Sequence, residues 1–335
     1  MKNVKKINYI HRGKRESRVL EIHFEDKKVA TPTYFPSISS AATRIQMSSL
    51  IQFCTSKDYP RLLVSAYDLY NIQNEKKSMI KILKEYTKNN ILFVDSGTFE
   101  SYWLNDKRWT FDKYKKIIKE LSGDIYTSFD EIPKPDDSLT KISSQVKKFV
   151  KRSSIISKHS HCAAVVHGNT PSQLIKVVED NAKKEEEPSM YAIPERDCGK
   201  TIKDKITTIK KIRNILSEKN PANILHILGC GNPLSIGMFA FAGADSFDSI
   251  DWSRWTIDPK TLQFMDLNHI ELINCTCEIC KRKEIDSTNK ALLHNLLFYQ
   301  KFTQELQTAI LKDNDLKILE QYVDRKTFSK IVKFF

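Results

Sequence analysis

No stretch of about 18 consecutive apolar residues occurs in the 335-residue chain, which excludes an ordinary membrane-spanning helix. The N-terminal "MKNVKKINYIHRGKRES" is basic and lacks the apolar core of a secretory signal, so a cytoplasmic protein is expected. No motif repeats with a period of roughly 20–50 residues and no low-complexity linker interrupts the chain, which argues against a solenoid or a string of tethered modules. No G-x-G-x-x-G follows the first apolar run, which weakens a dinucleotide-binding reading. The seven cysteines are odd in number, and with no export signal they argue against a disulfide framework.

Positive charge, by contrast, is abundant. A formal net charge of +13 favours a polyanionic partner, nucleic acid first, although charge alone does not separate DNA from RNA. Hydrophobic residues make up 40% of the chain, enough for a sizeable core.

Eight short apolar runs recur: "KVATPTYFPS", "RLLVSAYD", "ILFVDSG", "DIYTSFDE", "HCAAVVHG", "SMYAIPE", "ILHILGCG" and "ADSFDSID". Between most of them lie Lys-rich segments of helical spacing, such as "FDKYKKIIKELS" and "KDKITTIKKIRNILSE". Near-continuous apolar strands alternating with amphipathic helices indicate a parallel sheet covered by helices. With eight strands, a closed α/β barrel of the (β/α)8 TIM type is expected over residues 1–265. A small zinc-binding subdomain with C-terminal helices is expected over 266–335.

Chemistry in such a barrel sits where strands end. The runs end at Pro36, Asp68, Asp95, Asp130, His167, Glu195, the Gly229–Gly231 loop and Asp248. Each acid alone reads as a turn residue or helix cap. Together they place several carboxylates on one rim, where like charges raise one another's pKa.

"CTCEIC" sets Cys275, Cys277 and Cys280 at a C-x-C-x2-C spacing, which three thiolates of one tetrahedral zinc can share. His269 precedes the cluster and His294 follows it on an expected helix. His294 is the better fourth ligand, because a downstream helix can fold back over the knuckle. Cys3His leaves no open position, so one structural Zn2+ is expected rather than a catalytic one.

The order and spacing of "FVDSGTFES", "SFDE", "HILGCGNP", "GADSFDSIDWSR", "CTCEIC" and "HNLLFYQKFTQEL" resemble the tRNA-guanine transglycosylase superfamily. The resemblance runs from about residue 31 to about residue 310. It implies a pentosyltransferase that exchanges guanine in a nucleic acid for a free 7-deazaguanine. Asp248 falls on the family's nucleophile and Asp95 on its general acid/base. Phe99 and Leu228 fall on the walls that sandwich the base. Asp130 falls on the acid that reads the base edge, with Ser96 and Gly229 beside these positions. Arg254 falls where an arginine approaches the nucleic acid. Trp252 and Trp255 flank it, an aromatic–basic cluster suited to stacking on an unpaired base or packing on a sugar, with core packing of one Trp the equal alternative. Neither ATP nor a redox cofactor is implied.

The chain departs from the family pattern where the base is read. Thr98 and Glu100 replace Gly and Gln, and His167 replaces the Gln after strand 5. "AIPERDCGK" stands where a Gly-Gly-Leu-Ala stretch is usual, which makes Glu195 a candidate base contact. Thirteen residues separate Cys280 from His294, a trimmed zinc subdomain for this superfamily. These changes, with no added RNA-binding domain, are similar to the branch that inserts a preQ0-like 7-deazaguanine into DNA. DNA is therefore the expected partner, with partner proteins of a DNA-modification system. tRNA is the alternative, and a non-catalytic nucleic-acid-binding subunit the second. Base access requires flipping or an unpaired site, and no helicase-like segment is evident.

Overall fold

A computed structural model describes residues 6–13, 15–40, 44–72, 74–156, 161–182 and 188–335. The chain opens with three antiparallel strands, β1 (Lys6–Arg12), β2 (Arg18–Phe24) and β3 (Lys27–Ala30). Eight parallel strands follow: β4 (Thr33–Ile38), β5 (Arg61–Ser65), β6 (Ile91–Asp95), β7 (Ile125–Thr127), β8 (His161–Val165), β9 (Met190–Pro194), β10 (Ile224–Leu228) and β11 (Ser246–Ser249). They hydrogen-bond in chain order, and β11 returns to β4 to close the barrel. Each strand lies within one of the eight apolar runs, so the expected TIM barrel is the observed fold.

Two buried clusters follow from the period-2 alternation of a strand. One set of positions, including Phe35, Leu63, Phe93, Ile125, Val165, Ala192 and Ile224, fills the barrel interior. The alternate set, including Tyr34, Leu62, Val64, Leu92, Val94, Tyr191, Ile193, Leu225 and Phe247, packs outward under the helices. The interior parity, continued to the strand ends, points Ser37, Asp95, Thr127, Leu228 and Asp248 inward at one rim. That is how an ordinary hydrophobic pattern delivers polar groups to one place.

The N-terminal sheet was not anticipated from the basic N-terminus. Its Leu20, Ile22, Phe24 and Val29 join the interior cluster and stopper the opposite end of the barrel. The Arg18 guanidinium pairs with Asp245 at 2.6 Å, and the Lys27 ammonium donates to Asp124, Thr87 O and Asn90 O. These anchors precede the barrel strands, so the sheet closes the N-terminal face and leaves the C-terminal face open.

After the barrel, β12 (Trp255–Ile257) and β13 (Phe264–Asp266) form an antiparallel pair. The 25-residue helix Ser287–Leu311 then returns along the barrel, stacking Tyr299 on Tyr34 with ring centroids 3.7 Å apart. Among the described residues no helix is long and apolar enough to cross a membrane.

Candidate active site and metal centre

The open rim encloses a cleft of about 500 Å³ lined by Asp95, Ser96, Phe99, Glu100, Asp130, His167, Glu195, Leu228, Gly229, Asp248 and Arg254 among others. The rim acids read from the strand ends thus share one cavity, Asp68 excepted; it stands behind the wall with Ser40 donating to it.

Asp248 and Asp95 differ in their surroundings. Asp248 Oδ2 accepts from Ser37 Oγ at 2.5 Å, and Oδ1 accepts from Gly229 N at 3.1 Å. His226 Nε2 lies 3.1 Å from the same Oδ1, while its Nδ1 meets Ser246 Oγ at 2.8 Å. Three neighbours on two oxygens fix the direction of the carboxyl. Gly229 holds φ at +74°, and a Cβ there would meet nothing within 4 Å; the residue is needed for its backbone turn, which aims N–H at Asp248.

Among the described residues Asp95 accepts from Gly97 N at 2.8 Å and Thr127 Oγ1 at 3.3 Å. Burial, followed by the charges of Asp130 and Asp248, pushes its carboxyl up to about 7, and the two hydrogen bonds offset only part of that. A carboxyl near neutrality can both give and take a proton at physiological pH.

Glu100 is 8% exposed, with Ser39 Oγ donating to Oε1 at 2.5 Å and no hydrogen-bond partner for Oε2 among the described residues. Burial and then the charges of Asp95 and Asp68 push it up to about 8, so it carries a proton at neutral pH.

Asp130 accepts from Ser96 Oγ at 2.7 Å and meets His167 Nε2 at 2.9 Å. His167 Nδ1 lies 3.1 Å from Asp197. Burial alone would pull this imidazole down, but the bonds to Asp130 and Asp197 outweigh it and hold it at about 9. Both ring nitrogens are engaged within the protein, so His167 lines the cleft as a partner of Asp130 and Asp197. What it supplies is a fixed orientation for Asp130.

Of the two tryptophans, Trp252 is the one that packs in the core. It is fully buried, its indole donates to Ser37 O at 2.8 Å, and its own carbonyl accepts from Asn295. Spacing to Arg254 in sequence carried no information about burial, and this ring braces the strand that carries Ser37. Trp255 is half-buried, stacked on Phe264 with the Arg254 guanidinium 5.6 Å from its ring. Glu195 lines the cleft with one oxygen bonded to Lys205 Nζ at 2.8 Å.

Ser37, His226, Asp197 and Lys205 were missed in the sequence. A signal existed for His226: a lone polar residue in the run "ILHIL", two before Leu228 and so on the same face. Ser37 follows Phe35 by the same rule. Asp197 and Lys205 lie on a short 3-10 turn and a helix, where no period points to the rim.

Outside the cleft, one ligand atom from each of Cys275, Cys277, Cys280 and His294 falls within 4.8 Å of the others. His294 Nδ1 lies 3.3 Å from Cys280 Sγ and 3.6 Å from Cys277 Sγ. Its Nε2 bonds Ile257 O at 2.8 Å, which places the proton on Nε2 and leaves the Nδ1 lone pair for a metal. Three soft sulfurs and one imidazole in this arrangement fit a tetrahedral ion. The expected fold-back of the helix over the knuckle is what brings His294 there.

The family model described as queuine tRNA-ribosyltransferase matches residues 14–327. The chain belongs to this family. It is similar to the tRNA-guanine(15) transglycosylase of Archaeoglobus fulgidus, 20% identical over 326 residues that cover 91% of this chain and 66% of that protein. That of Methanocaldococcus jannaschii is 22% identical, covering 95% and 53%. A queuine tRNA-ribosyltransferase of Helicobacter acinonychis is 27% identical over 164 residues, 42% of this chain and 43% of its own length. The chain thus spans about half to two thirds of the length of the archaeal family members cited. Membership is consistent with the barrel and the Cys3His cluster.

Proposed function

We propose that the chain exchanges a guanine in a nucleic acid for a free guanine or 7-deazaguanine base through a covalent link to Asp248. The observation that supports this best is the contrast between two acids on one cleft: Asp248 held in place by three neighbours, Asp95 lifted to about 7 by burial and like charge.

In the first half-reaction an Asp248 oxygen bonds to the sugar C1′ as the C1′–N9 bond breaks. The Asp248 anion also stabilises the positive charge that develops on the sugar. The proton on Asp95 passes to the departing guanine, which leaves neutral. In the second half-reaction the incoming base gives its proton to Asp95 and its ring nitrogen attacks C1′, releasing Asp248 as carboxylate. Two inversions retain the configuration. Phe99 and Leu228 sandwich the ring. Asp130, fixed by Ser96 and His167, accepts from the amino and ring N–H edge of guanine.

Cys275, Cys277, Cys280 and His294 hold one Zn2+, which when bound cross-links the knuckle to the long helix. We read this unit as beginning with the β12–β13 hairpin, which straddles the boundary expected at residue 265.

tRNA is the nucleic acid that the named family members favour, ahead of the DNA reading drawn from the sequence. DNA stays as a second reading on one specific observation: the base-reading wall differs from the family pattern at Thr98, Glu100 and His167, with Glu100 Oε2 lacking a partner. The test is incorporation of radiolabelled guanine or preQ0, offered separately with tRNA and with duplex DNA. Label in tRNA supports the first reading and label in DNA alone the second. Label in neither, with zinc and both bases supplied, overturns base exchange and leaves a nucleic-acid-binding subunit.

A further inference from the structure

The short helix Thr98–Trp103 carries Phe99 into the cleft and leaves apolar surface uncovered beside it. Tyr102 is 50% exposed and Trp103 65% exposed, with Leu104 following at 64%. The rings meet edge to face, Phe99–Trp103 at 6.1 Å and Tyr102–Trp103 at 5.5 Å, so broad ring surface remains open. An isolated exposed aromatic needs no explanation, but a contiguous run at the lip of a cleft does.

A second cavity of about 600 Å³ opens along this platform, with Tyr102, Trp103, Pro133, Asn169, Arg196 and Lys200 in its walls. It shares Ile132, His167 and Arg196 with the main cleft, so the two adjoin. The Arg196 guanidinium lies 5.0 Å from the Phe99 ring, at the junction. Two acids also line this groove, and both are engaged within the protein. Asp197 faces His167, Gly168 N and, at 3.4 Å, Arg196; Asp204 accepts from Thr201 N in a capping box. Lys200 is exposed and has no anionic partner among the described residues.

We propose that Tyr102 and Trp103 stack the base of the unpaired nucleotide next to the exchanged guanine, while Lys200 and Arg196 take its phosphate. The assignment rests on the base-exchange reading for the word "exchanged", and on the groove's own chemistry for the rest. Aromatic faces bordered by cations, with no sequence-reading network around them, are the recipe for binding single-stranded nucleic acid. The charge also argues against a second copy of the chain. A two-fold contact centred on this patch would set Lys200 and Arg196 near their own symmetry mates.

The test uses a short single-stranded oligonucleotide with one central guanine, in RNA and DNA versions, and the zinc-loaded full chain. Trp103→Ala should raise KM for the oligonucleotide about tenfold and weaken its direct binding equally, with kcat and the KM for free guanine unchanged. Tyr102→Ala should act in the same direction. Lys200→Ala should reduce the slope of log affinity against log salt by about one. An unchanged oligonucleotide KM in both aromatic variants overturns the proposal. So does a change confined to oligomeric state in sedimentation, which would assign the patch to a copy of the chain. If the wild type shows no exchange but Trp103→Ala still weakens binding, the platform stands and the exchange reading falls.

Discussion

Asp245 and Asp248 lie three residues apart at opposite ends of one strand, and the barrel treats them oppositely. Asp245, at the closed end, accepts from Arg18 at 2.7 and 2.6 Å, Arg213 at 3.2 Å and Leu225 N at 2.7 Å, with no exposure at all. Asp124 at the same end meets Lys27 at 2.6 Å. At the open end Asp95, Asp130, Asp248 and Glu100 find hydroxyls, backbone amides and histidines, and among the described residues no Lys or Arg is paired with them. A guanidinium on an acid locks it as an anion and spends its lone pairs; a hydroxyl leaves room for substrate and proton. One face of the barrel is built to hold together, and the other keeps its acids open for the proposed exchange.

Exchanging the two aspartates' fates is the strongest way to break that comparison. Asp248→Asn should lower base exchange by about 10³-fold or more while unfolding at nearly the wild-type denaturant concentration. Asp245→Asn should do the reverse. It leaves Arg18 and Arg213 buried without their anion, costing about 3–5 kcal/mol of stability by urea unfolding, with near-normal kcat per folded molecule. Activity lost equally in both, in proportion to stability, would erase the distinction.

A smaller effect probes the metal centre, which belongs to neither end. Cys277→Ser should remove bound zinc, read by atomic absorption, and expose the segment from residue 275 to 294 to proteolysis. Retained stoichiometric zinc would refute the ligand set.

The mildest change concerns the proton inventory of the open end. Glu100 sits near 8 when folded against an ordinary carboxylate value near 4.5. Between those values the folded state binds more protons than the unfolded one, so stability falls as pH rises through the window. Glu100→Gln removes that dependence. It should flatten the fall between pH 5 and 8 by on the order of 1–2 kcal/mol, measured by urea unfolding at each pH. A similar window, from about 4 to about 7, applies to Asp95, and the first half-reaction should slow as pH rises through 7 and Asp95 loses the proton it must donate.

Much of this was legible in the chain. All eight barrel strands lie in apolar runs because parallel strands buried on both faces are hydrophobic almost throughout. The acids stood out because each ended such a run, and the zinc ligands because their spacing is short. The β1–β3 sheet was hidden by its basic surroundings, although "VLEIHF" carries the alternation of a half-buried strand in its burial. Ser37 and His226 were hidden because their meaning lies in a neighbouring strand: His226 pairs with Ser246, and only that register sets it under Asp248. Which tryptophan packs in the core was not legible, because sequence proximity to Arg254 does not say which side of the 3-10 turn faces solvent.

The covalent intermediate offers the most direct test of the central claim. The zinc-loaded chain is incubated with tRNA or duplex DNA in the absence of free base and run on a denaturing gel. Expected is a slower-migrating protein–nucleic acid adduct that free guanine discharges, that maps to Asp248 by mass spectrometry, and that Asp248→Asn cannot form. Label incorporation that persists in Asp248→Asn, with no adduct in the wild type, would contradict it.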